Sequence, residues 1–176
     1  MRNILMAAFA SAALAGCSTT EAPRRWTTQM PGDMTPENRE GYVALAAASD
    51  LFEVQSSQLA LSRAQSPAVR DYAQMLVTHH TQTTQQLYAA AKAAGMIRTH
   101  DWMLPPPMQQ LMEELQEAPA GDFDRVYLRQ QIPAHEMALA LHSNYSAGGD
   151  APALRAVAAA AVPIVRQHLT RARELD

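Results

Sequence analysis

Four side chains could share one ion: Glu53, His80, His135 and His168. Imidazole nitrogens and a carboxylate ligate divalent transition ions, and nitrogen donors favour zinc, copper, iron or nickel over calcium or magnesium. The cofactor such a set implies is a divalent transition metal, with zinc, iron, copper and manganese as the ions to test. His80 lies in LVTHHTQTTQQL (76–87), directly after His79. Val69, Ala73, Leu76, His80, Thr83, Leu87 and Ala90 recur at alternating spacings of four and three, the seam of a packed helix. His80 therefore faces inward, while His79, about 100° around the helix, is at most an outer neighbour.

The same reading places the other candidates. His168 sits in a stripe formed by Leu154, Ala158, Ala161, Val165, Ala172 and Leu175. His135 shares a face with Leu128, Ile132, Leu139 and His142, which makes His142 a second outer neighbour. Glu53 is flanked on its face by Ala46, Ser49, Ala60 and Ala64, small residues that let a helix or ligand come close. A plainer reading stands beside this one. Seam histidines often belong to a polar core, bonded to Glu, Tyr or a backbone carbonyl, and a Glu/His network around buried water would need no metal. One acid cannot satisfy three imidazoles, however, and both readings stay open at this stage.

The elements that must position these groups are helices. Thr35-Pro36 and Ser66-Pro67 each read as a cap followed by proline at the first helical position, and Gly95 as a stop. Helices are expected over about 36–64 and 67–94, then a long crossover containing LPPP and one short helical candidate, Met108 to Gln116. A third long helix is expected over 122–147, ending at Gly148-Gly149, and a fourth from Asp150-Ala151-Pro152 to the C-terminus. No strand-length alternation is visible. Two hairpins joined by one long connection describe an all-α, ferritin-like four-helix bundle. Glu53 and His80 fall twelve and thirteen residues from the first hairpin, hence at one level. His135 and His168 fall thirteen and seventeen from the second, an offset of about 6 Å at helical rise. Pro133 and Pro163 interrupt the last two helices near those histidines, each removing one backbone hydrogen bond.

Several chemistries are disfavoured. Glu53 is followed three later by Ser56 and Glu136 by Leu139, so the Glu-x-x-His motif of di-iron carboxylate sites is missing. There is no Gly-x-Ser-x-Gly elbow, no phosphate loop and no cysteine within the folded region. An enzymatic reaction is not favoured. Net charge is −3, and Lys92 is the sole lysine, so nucleic-acid binding is not expected.

The N-terminal region carries a different signal. MRNILMAAFASAALAGC has a basic start, an apolar run and small residues before Cys17, in the order of a bacterial secretory signal. Leu14-Ala15-Gly16-Cys17 resembles the lipobox of bacterial lipoproteins, and the chain's single cysteine falls at its acylation position. The expected organisation is a signal peptide over 1–16, lipidation at Cys17, a flexible tether over 17–35 and a helical domain over 36–176. Ser18 at the next position favours the outer membrane, with the domain facing the periplasm and the lipid anchor as its membrane contact.

SDLFEVQSSQLAL (49–61), YAQMLVTHHTQTTQQL (72–87), FDRVYLRQQIPAHEMALALHSNY (123–145) and VPIVRQHL (162–169) together resemble an exported bacterial family. It is known as domain of unknown function four-one-four-two and regarded as ferritin-like. The resemblance spans about 38 to 175 and implies the bundle, an envelope location, and Glu53, His80, His135 and His168 as recurring polar positions. Relatives commonly carry Asp where this chain has His79. The family brings no established reaction.

Methionine is the remaining signal. HDWMLPPPMQQLM brings His100, Met103, Met108 and Met112 into the crossover, and thioethers hold Cu(I). Gap filling beneath the crossover is the simpler role. The expected function is a lipid-anchored envelope protein binding a metal ion or small ligand in its core, with a role in envelope stress or metal handling. The alternative is a structural or interaction protein of the envelope whose histidines only hold a polar core.

Overall fold

A computed structural model describes residues 38–96 and 103–176. The expected signal peptide, Cys17, the tether, the Thr35-Pro36 cap and His100 lie outside them. Five helices are described: α1 (Arg39–Arg63), α2 (Pro67–Ala93), α3 (Pro106–Glu117), α4 (Phe123–Gly148) and α5 (Pro152–Leu175). Among the described residues there is no strand, and no helix is long and apolar enough to cross a membrane.

Local chemistry sets the helix ends. α1 opens at Arg39 rather than 36, where Asn38 Oδ1 accepts from the Gly41 N–H at 2.8 Å and satisfies a donor of the first turn. Pro67 starts α2 as expected, but the Ser66 side chain makes no capping bond. The turn is held instead from α4, because Asp124 accepts the Gln65 and Ser66 N–H groups at 2.9 and 2.8 Å. α2 ends in a Schellman arrangement: Gly95 at φ +81° donates to Lys92, and Met96 donates to Ala91. Both internal prolines sit inside continuous helices.

The long helices pack as two antiparallel hairpins, α1 with α2 and α4 with α5, and these meet along α2–α5 and α1–α4. The crossover element α3 lies over α1 and α4. Arg63 fixes its end, donating to the carbonyls of Leu115, Gln116 and Ala118 while its guanidinium rests 4.9 Å from the Phe123 ring centroid. Met108 and Met112 are buried there with Phe52, Leu111 and Ala134, which is the gap-filling role; Met103 is 77% exposed.

Two apolar layers close the ends of the long helices. One contains Val69, Tyr72, Leu76, Phe123, Tyr127 and Ala172, and the other Tyr42, Val43, Leu87, Leu141, Tyr145 and Leu154. The buried polar side chains Asp50, Glu53, Ser56, His80, Gln131, His135 and His168 come from the stretches between them. With an apolar plug on each side, these side chains are buried, so every unpaired group among them is costly.

Candidate functional site: a buried histidine group

His80 of α2, His135 of α4 and His168 of α5 converge within the polar layer. All three are buried, and one ring nitrogen of each lies within 4.8 Å of the other two. Their ring centroids are 5.1 to 5.7 Å apart. The one-turn offset expected between His135 and His168 is taken up by the side chains, whose centroids are 5.3 Å apart.

One nitrogen of each ring is occupied. His80 Nδ1 meets Asp50 Oδ1 at 2.8 Å. His135 Nδ1 donates to the Gln131 carbonyl at 2.8 Å, and since a carbonyl only accepts, that nitrogen carries the proton. His168 Nε2 lies 2.8 Å from His79 Nδ1, with the two rings stacked at 18°. The remaining nitrogens, His80 Nε2, His135 Nε2 and His168 Nδ1, are buried without a hydrogen-bond partner in the protein. This resembles the division of labour of metal-ligating histidines, one nitrogen fixed by a partner and the other left open to a ligand.

Glu53 stands beside this group. Its Oε1 is 3.7 Å from His135 Nδ1, the nitrogen already committed to Gln131, and neither carboxylate oxygen has a hydrogen-bond partner in the protein. His79 is half-buried and touches His168. His142 lies elsewhere, in the apolar end layer, with Nδ1 3.0 Å from the Tyr42 hydroxyl and Tyr42 stacked on Tyr145.

Asp50 was not among the expected site residues. Its Oδ1 takes His80, and its Oδ2 accepts the Thr83 and Thr84 hydroxyls, each at 3.0 Å. The signal was present in the sequence: Ala46, Asp50, Glu53, Ser57, Ala60 and Ala64 follow the same alternation of four and three as the α2 seam, and all six are buried. On α4 the buried stripe likewise runs through Gln131, His135, Ala138, Leu141 and Tyr145, whereas Ile132 and Leu139 are only half-buried.

Electrostatics separates the three imidazoles. Burial lowers His80, but its hydrogen bond to Asp50 and the charges of Asp50 and Glu53 outweigh that, so its pKa is raised. Burial, then the charge of His80, holds His135 down at about 3 and His168 at about 2. Two neutral imidazoles therefore offer lone pairs at ordinary pH. Burial pushes Glu53 up to about 8, with His80 opposing and Asp50 adding to the rise. A cation placed in this layer would compete with both the His80 and Glu53 protons.

Residues 26–175 match the family described as Domain of unknown function (DUF4142). The chain belongs to that family. No curated protein matches this DUF4142 chain by sequence. Its fold is similar to a solved structure of CopM in the Cu(II)-bound form, with a TM-score of 0.62 and 16% identity. The likeness covers 78% of the DUF4142 chain and 94% of CopM.

Proposed function

We propose that this protein binds one divalent transition-metal ion through His80 Nε2, His135 Nε2 and His168 Nδ1, as a metal-handling protein of the cell envelope. The observation that carries this reading is the set of three buried imidazole nitrogens without partners in the protein, each on a ring whose other nitrogen is held. A polar core built only for packing would be expected to close such donors and acceptors on one another. Two nitrogens on one tetrahedral ion at ~2.1 Å stand ~3.4 Å apart, so a group whose nitrogens lie within 4.8 Å of one another needs to contract by at most about 1.4 Å, within the reach of side-chain rotation.

Three ligands leave a fourth position, for which Glu53, buried with both oxygens unpaired beside His135, is a candidate from the protein. The donor set suits copper, zinc, iron or nickel. Cu(II) is named for the CopM structure, which makes it the first ion to test. A ferritin-like four-helix bundle tethered through an acylated Cys17 to the outer membrane, facing the periplasm, completes the reading. The two-hairpin order with one long connection supports the bundle. The LAGC ending supports the anchor.

Metal analysis of protein purified without an affinity tag tests it. One equivalent of metal in the wild type, lost in the double variant His80→Ala, His168→Ala, is expected. Metal-free wild type that takes up none of copper, zinc, iron or manganese on titration would instead support a non-enzymatic structural protein with a polar core.

A further inference from the structure

His168 is the imidazole through which the buried group communicates with the outside. Its Nδ1 is the buried unpartnered atom, while its Nε2 lies 2.8 Å from Nδ1 of His79. His79 is half-buried where His80, His135 and His168 are buried, so the polar layer reaches the protein surface at His79. An open groove runs along the same α2–α5 seam, and Asp71, Met75, Gln167, Arg171 and Glu174 line it. Met75 precedes His79 by four residues and Gln167 directly precedes His168, so the groove begins one helical turn from the pair. Asp71 gives its mouth a negative charge, Glu174 being paired with Arg171 at 2.9 Å, and Met75 adds a thioether that suits soft ions.

Resting on the metal reading above, we propose that His79 Nδ1 and His168 Nε2 form a loading site for a transition-metal ion entering from the α2–α5 groove. The ion then passes His168, leaving Nε2 and His79 to be taken by His168 Nδ1, His80 Nε2 and His135 Nε2. The step is ligand exchange without change of oxidation state. For both nitrogens to hold the ion, the proton between the rings moves through water to the other nitrogen of the ring that carried it, so both rings stay neutral, and the 2.8 Å nitrogen pair opens toward the ~3.4 Å that one ion requires. When the ion goes on to His168 Nδ1, the proton on that nitrogen returns to Nε2, and a proton on His80 Nε2 leaves to water.

Rates, read together with affinity, test the loading site. Cu(II) uptake by the full chain is followed by stopped flow and its release by transfer to a chromophoric chelator, in the wild type, His79→Ala and His79→Asn. The expected result is that both variants slow uptake and release by about tenfold or more, the scale on which a cleft that concentrates its ligand raises encounter rates. Affinity then changes far less than either rate. Unchanged rates overturn the loading site and leave the buried site standing. A loss of about 10- to 100-fold in affinity, carried by faster release, also overturns it, since that is the mark of an orienting partner. A wild type that takes up no Cu(II) or zinc overturns the buried site and the loading site together.

Discussion

His80 Nδ1 and Asp50 Oδ1 lie 2.8 Å apart in a buried pair that joins α2 to α1. With Thr83 and Thr84 on its other oxygen, Asp50 has partners on both oxygens and its carboxylate is held in place. It thereby aims His80 Nε2 and supplies the charge that a bound cation would feel. Asp50→Asn is expected to lower metal affinity by about 10- to 100-fold through a disordered His80, an effect seen by competition titration. Asp50→Ala leaves a buried imidazole alone and is expected to cost roughly 3 kcal/mol in denaturant unfolding.

Metal binding should appear as stability. At an ion concentration about a hundred times Kd the folded state gains roughly 2.7 kcal/mol, and Tm rises accordingly. His135→Ala, tested at equal ion concentration, is expected to lose the increment whatever its own Tm. A wild-type Tm indifferent to copper and zinc would count against the site.

His142 gives a pH dependence whose main cause lies outside the histidine group. Burial lowers it to about 4, with Asp50 opposing and His80 adding, and its neutral ring meets the Tyr42 hydroxyl at 3.0 Å. A depressed folded value means the unfolded chain binds the proton first. The contribution is full above pH 6.5 and is lost as pH falls toward about 4; the full gap corresponds to roughly 3 kcal/mol. The slope of Tm against pH in that window should be shallower in His142→Gln than in wild type, and an identical slope would be the contrary result.

Gly149 is constrained by contact, not by φ. A Cβ there would stand 2.5 to 2.7 Å from atoms of the Tyr145 ring, which is itself stacked on Tyr42 at 3.9 Å between centroids and cannot retreat. Gly149→Ala is expected to destabilise by about 1–3 kcal/mol, measured by thermal or denaturant unfolding.

Met108 packs against the core under α3. Met108→Leu is expected to cost less than about 1.5 kcal/mol and to leave metal stoichiometry unchanged. Loss of an equivalent of copper would reassign the crossover methionines as ligands.

Helix number, order and approximate bounds follow from local rules that act within a few residues: proline at the first turn, Gly95 at the last, and the alternation of four and three. The same alternation turned His80 and His168 inward, and sequence distance from the hairpins put His135 near their level. Asp50 and Ser57 obeyed it too. Asp50 escaped notice because its burial depends on Thr83, Thr84 and His80 arriving from another helix. Likewise the α1–α2 turn is held by Asp124, which lies 58 residues beyond Ser66.

What the chain determines by itself is therefore which faces are apolar and which residues punctuate them, because periodicity and capping are properties of neighbouring residues. Only the tertiary structure decides which nitrogen of each imidazole is taken. Asp50, the Gln131 carbonyl and His79 each claim one, and Glu53 is left beside the histidines with both oxygens unpaired. That choice depends on distances of about 3 Å between separate helices, and hydrogen bonding and desolvation act at that range, which no spacing along one helix encodes.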